Sequence, residues 1–106
     1  MNFSARLRLA MRANAIGALR LSEELSWNIS ASRIGDLADT CDAPEESEVI
    51  LLSATLNVPR DWLAGASKKI PRKISDFCMS NGISLAAFNG ELNDEAIRYI
   101  ETLLSK

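Results

Sequence analysis

The 106 residues carry a net charge of −2 with 47% hydrophobic and 25% charged side chains, a composition that fits one globular core and excludes a disordered chain. There is no histidine, which removes at once the commonest general base, metal ligand and nucleophile-activating group, so neither an enzyme nor a metal site is expected. Cys41 and Cys78 stand too far apart for a Cys-x-x-Cys framework and read as reduced packing residues, and no apolar run approaches the length that spans a bilayer.

Arginines interrupt the N-terminal stretch MNFSARLRLAMRANAIG, so it lacks the apolar centre of a secretory leader and a cytoplasmic location is expected. Within it Phe3, Leu7, Ala10 and Met11 fall on one face of a first helix, with Arg8 and Arg12 on a neighbouring stripe open to solvent or phosphate. Gly17 interrupts, and ALRLSEEL then supplies a short second helix with Leu21 and Leu25 turned inward. SWNIS is a polar turn, and Ser30 is placed to cap a third helix, ASRIGDLA, whose Ile34 and Leu37 point inward. Gly35 in its middle costs about 1 kcal/mol relative to alanine, which implies either a close approach or a weakly specified helix.

TCDAP is a loop, with Asp42 and Pro44 as turn and helix-entry residues. Glu45, Glu46 and Glu48 suit the positive end of a helix dipole, so EESEVILLSATLNV is read as a helix rather than a strand. Val49, Leu52 and Leu56 form its inward stripe, Ile50 and Leu51 widen it, and this fourth helix is expected to be the most buried of the set. Pro59 opens a short fifth helix that Gly65 ends, with Trp62 and Leu63 as an apolar plug.

The basic, proline-broken SKKIPRK reads as a linker at 67–73, between a helical unit at 1–66 and an appendage at 74–106. The appendage is expected to hold a short helix about Phe77 and a firmer one after Asn93, begun by Asp94 and Glu95 and ended by Lys106. Ile97, Ile100 and Leu104, flanked by Ala96, Tyr99 and Leu103, give it an apolar face that needs a partner, either the chain's own core or a second subunit. Charge is unevenly spread. Up to Arg33, five arginines face two glutamates, while from Ile74 onward two cations face five carboxylates.

Taken together, ARLRLAMRANAIG, LSEEL, NISASRIGDL and PEESEVILLSATLNVPRDWLAG resemble the Cro and lambda-repressor-like helix-turn-helix family, also called XRE-like, from Phe3 to Gly65. The most specific piece is LLSATLNVPRDWLAG, similar to the segment that joins that family's fourth and fifth helices. The resemblance implies an all-α fold, a five-helix repressor-like helix-turn-helix domain with a short helical C-terminal appendage. Leu21, Ser22 and Leu25 match the first half of the motif, and Ile29, Ser30, Ile34 and Leu37 the second. The chain departs from the family in three places: the SWN turn is about two residues longer, Asn28 stands where glycine is common, and Ala18 replaces a phosphate-touching glutamine.

By the same resemblance, the expected function is a sequence-specific transcriptional regulator, a phage- or prophage-type repressor acting as a homodimer on double-stranded operator DNA. Ser30, Ala31, Ser32 and Arg33 would face the major groove, Arg33 as a bidentate contact to guanine, while Arg20 and Arg12 join Ser30 on phosphates. Ile97, Ile100, Leu103 and Leu104 would carry dimerisation. Asp36 and Asp39 would repel phosphate unless paired or turned away, and Arg33 with Asp36, three residues on, offers one such pairing.

The departures, the aspartates and the net charge open a second reading, a protein-binding module on a degenerate helix-turn-helix fold, acting as antirepressor or adaptor. The C-terminal appendage is then one route to a protein partner. No cofactor, metal or catalytic residue is expected: Ser67 beside Lys68 and Lys69 belongs to the linker, and Glu45, Glu46 and Glu48 to a helix start.

Overall fold

Seven of the eleven residues of α1 (Phe3–Ala13) are buried, which makes this helix the centre of the fold in the computed structural model, where residues 3–39 and 43–104 are described. Phe3, Leu7 and Ala10 take the inward face that their spacing demands, and Leu9 joins them because neighbours cover α1 on more than one side. The helices that follow are α2 (Ala18–Glu24), α3 (Ala31–Asp39), α4 (Glu46–Leu56), α5 (Arg60–Leu63), α6 (Arg72–Ser80) and α7 (Asp94–Leu104), with a 3-10 turn at Ala86–Phe88. α1 packs against α3, α5, α6 and α7, while α2 lies on α3 and α4 on α5. The fold is all-helical: among the described residues extended pairing is confined to one bridge between Lys69 and Glu91.

The helix ends follow from local chemistry. Ala15, in the left-handed region at φ 51°, ends α1, and the Asn14 amide donates to the carbonyls of both Ala10 and Leu56 at 2.8 Å, which ties the end of α1 to the end of α4. At the start of α4 the Glu48 carboxylate accepts the Glu45 backbone amide at 2.8 Å, satisfying a donor that the helix leaves open. Pro59 and Pro71 stand just ahead of α5 and α6, where a fixed φ favours helix entry. Gly65 and Gly82, at φ 86° and 73°, take the chain out of them. Asn93 caps α7, its side-chain oxygen accepting the Ala96 amide at 2.8 Å.

α4 is not the most buried helix. Val49, Leu52 and Leu56 face the core, but Ile50 and Leu51 lie on the outside and remain 47% and 36% exposed. Apolar composition marked the helix correctly as a core element yet left open which neighbours would cover it.

Residues 67–73 are built into the fold rather than strung between two bodies. The Ile70 amide donates to Gly90 O at 3.0 Å, the Leu92 amide donates to Lys68 O at 2.6 Å, and Arg72 already begins α6. Ile74, Cys78, Ile83, Leu92, Ile97 and Ile100 belong to the same hydrophobic cluster as Leu7, Leu37 and Trp62. The radius of gyration of 12.9 Å matches the ~13 Å expected when a chain of about this length closes around one core. Residues 74–104 therefore supply part of that core rather than standing apart from it.

Ile97 and Ile100 are fully buried, so the expected dimerisation face of α7 is occupied by α1 of the same chain, and Leu103 and Leu104 are half-buried against that core. Cys78 is a buried free thiol, as its packing role requires, and burial pushes its pKa up. Cys41, Asp42 and Lys106 lie outside the described residues. No helix of the described residues is long and apolar enough to cross a membrane, and among them no three ligand-type side chains are grouped to hold a metal ion.

Candidate interaction surface

α2 and α3 are joined by six residues, Leu25 to Ser30, whose path is set by backbone pairing rather than by glycine. Ser26 and Trp27 both adopt left-handed backbone, at φ 55° and 63°, which a bulky L-residue seldom takes. The Trp27 amide donates to Ser22 O at 2.9 Å, the buried Ser22 hydroxyl donates to Ile29 O at 2.6 Å, and the Asn28 side chain donates to Leu25 O at 2.8 Å. These bonds drop Ile29 into the core and leave Trp27 60% exposed on the surface. Ser30 then caps α3 as its position requires, its hydroxyl accepting the Arg33 amide at 3.1 Å.

The far end of α3 is held by α1. The Ser4 hydroxyl donates to Leu37 O and Arg8 Nη1 to Ala38 O, so two carbonyls left open at the helix end find donors. Gly35 makes no close approach within the chain, since a Cβ there would meet nothing within 4 Å.

Of the expected DNA-facing residues, Ser30 and Ser32 are exposed and Ala31 is half-buried at the start of α3. Arg33 is committed elsewhere. Its guanidinium grips Glu48 at the start of α4 in a two-pronged pair, Nε to Oε2 at 2.8 Å and Nη2 to Oε1 at 2.9 Å, and Nη2 also donates to Ala43 O at 3.3 Å. The hydrogen bonds from Arg33 hold the Glu48 carboxyl below the usual glutamate value. Arg20 is exposed and pairs with Glu24 at 3.3 Å. Arg12 is exposed and carries no ion pair among the described residues.

Arg8, half-buried, is not left free beside Arg12. Its guanidinium makes a second two-pronged pair, with Glu101 of α7, at 2.8 and 3.1 Å. Arg6 is 2% exposed, lies 5.3 Å from the centre of the Trp62 ring and meets Asp94 at 3.5 Å. Desolvation lowers its pKa, and Asp94 opposes that effect. Four of the five arginines that make the first third basic are thus paired, three with carboxylates beyond Pro44.

The basic front and the acidic tail face each other inside one molecule. Glu48, Asp94 and Glu101 are the residues that sequence reasoning missed as partners; the opposite charge balance of the two ends was a signal for Asp94 and Glu101, whereas Glu48 belongs to neither end.

By count of side chains, α2, the turn and α3 are acidic and partly apolar. Arg20 and Arg33 stand against Glu23, Glu24, Asp36 and Asp39 over residues 18–39, and Leu19 and Trp27 are each 60% exposed. Such a face would repel phosphates and favours a counterpart with cations and an apolar contact. The class defined here is that of a small all-helical protein. No protein-family model, no curated protein and no solved structure matches the chain.

Proposed function

We propose that the chain acts by binding another protein, through an acidic and apolar face made by α2, the turn and α3. In this reading α1 to α5 are a degenerate helix-turn-helix unit of the repressor-like kind that their sequence resembles, and the protein is an antirepressor or adaptor. The observation that carries it is the pairing of Arg6, Arg8, Arg20 and Arg33 with carboxylates of the same chain, which leaves Arg12, of the five arginines up to Arg33, without an ion pair among the described residues. The exposed Trp27 adds to it: strained backbone and poor burial are both unfavourable for tryptophan, and aromatic side chains are enriched at interface centres. The partner that fits is a protein with a basic surface, such as the DNA-contacting face of a DNA-binding protein.

A second reading, a homodimeric DNA-binding regulator, is supported by Ser30 and Ser32 at the open start of α3 and by the unpaired Arg12. One titration separates the two. Random-sequence duplex is titrated against the protein at low salt with fluorescence anisotropy. Protein binding predicts no saturable complex, whereas affinity that falls steeply with added salt overturns it in favour of DNA. On the protein side, a crosslinked DNA-binding partner must be lost from the Trp27→Ser, Leu19→Ser variant and retained by Arg12→Ala.

A further inference from the structure

α4 is apolar on two opposite sides. Val49, Leu52 and Leu56 face the core, and on the other side Ser47, Ile50, Leu51 and Ala54 are exposed. At 3.6 residues per turn the centres of these two groups lie half a turn apart. None of the four exposed residues is charged, whereas a helix covered on one side only carries charges on the other, and one that is apolar all round is ordinarily buried all round.

We propose that this face is the seam of a homodimer in which α4 packs antiparallel against α4 of a second copy across a two-fold axis. The choice of occupant rests on the charges at the two ends of the helix. At its start, Glu45 and Glu46 are exposed, and Arg60, at 2.7 Å from Glu46, offsets only one of them. Past its end, beside Ala54, lies a groove of 740 Å³ lined by Val58, Pro59, Arg72 and Lys73 among others, where Asp76, at 3.8 Å from Arg72, again offsets only one charge.

One end is therefore net negative and the other net positive. A two-fold axis through the middle of α4 sets each end against its complement twice, while a parallel pairing sets like against like. The self-complementary pattern selects a second copy of this chain as partner.

The α4 face alone is short, about 16 Å of helix, and a stable interface covers about 800 Å² per partner. The walls of the groove complete it, and the dimer is correspondingly weak and reversible. It does not involve α7, whose Ile97 and Ile100 are already buried, and it is independent of what α2 and α3 bind.

Sedimentation equilibrium tests the proposal. The wild-type chain is expected to show a reversible monomer–dimer equilibrium below about 100 µM. Leu51→Lys is expected to weaken it at least tenfold with unchanged helix content, because that side chain lies on the outer face of α4. Glu46→Lys makes both ends positive, and Arg72→Glu with Lys73→Glu makes both ends negative, so each variant alone is expected to be monomeric. Mixed in equal amounts, the two are expected to recover a heterodimer. A wild-type chain that stays monomeric, a dimer that survives Leu51→Lys, or a mixture that stays monomeric overturns the proposal.

Discussion

The Arg33 guanidinium lies against the Glu48 carboxylate with two hydrogen bonds, at 2.8 and 2.9 Å, so the side chain best suited to read a base instead clamps α3 to the first turn of α4. Both groups are largely shielded, with side-chain exposures of 33% and 13%, which raises the pair above a loose surface contact.

The clamp predicts an acid dependence. The folded-state pKa of Glu48 lies below its ordinary 4.5, chiefly through the Arg33 hydrogen bonds, so its stabilisation is complete above that ordinary value and is lost as pH falls through the depressed one. Glu48→Gln is expected to cost about 1 to 2 kcal/mol at pH 7 and progressively less as the pH falls below 4.5. Urea unfolding at pH 7 and below 4.5 checks it. Equal losses at both would show that the ion pair is not the source.

Arg6 and Asp94 are expected to respond unequally. The hydrogen bonds of the buried guanidinium to backbone carbonyls are long, 3.3 Å to Trp62 O and 3.4 Å to Leu92 O, and its Nε has no partner. Arg6→Met fills the same space without a charge to desolvate and is expected to be neutral or stabilising by about 1 kcal/mol. Asp94→Ala leaves the guanidinium without its counter-charge and is expected to destabilise by about 2 to 3 kcal/mol. Thermal melts of the two variants beside wild type give the comparison, and a larger loss for Arg6→Met would refute it.

At the turn, Trp27→Gly is expected to stabilise the fold by about 1 kcal/mol, because glycine takes the left-handed backbone without strain and the indole packs little. A chemical denaturation curve measures it. A destabilised variant would mean that the indole holds the turn together.

Ending the chain at Lys73 removes Ile74, Cys78, Ile83, Leu92, Ile97 and Ile100 from the core and strips Arg6 and Arg8 of their carboxylates. Such a fragment is expected to lose cooperative unfolding, whereas the full chain melts in one transition. Circular dichroism melts of both decide it, and an independently folded fragment would restore residues 74–106 to the status of an appendage.

Local chemistry made much of the fold legible. Ser30 and Asn93 have the side-chain oxygens that helix starts require, Pro59 lacks the amide that its position does not use, and Gly65 takes the φ that ends α5, whereas Pro71, read as a linker break, opens α6. The inward stripes Leu21 with Leu25, Ile34 with Leu37, and Val49 with Leu52 and Leu56 follow from a period of 3.6 and are all buried. The candidate surface was less legible. Ser30, Ser32, Arg12 and Arg20 are exposed, but Arg33 and Arg8 are drawn to partners 15 and 93 residues away in the chain.

The sequence by itself determined the helices, their caps and the faces that must be buried, because those depend on residues within a turn or two of one another. Tertiary structure alone decided what meets each face and each charge. Ile97 and Ile100 are apolar whether a second copy or α1 covers them, and Arg33 is a cation whether it faces a phosphate or Glu48. Those outcomes depend on distances between segments remote in sequence, which close only when the core around α1 forms.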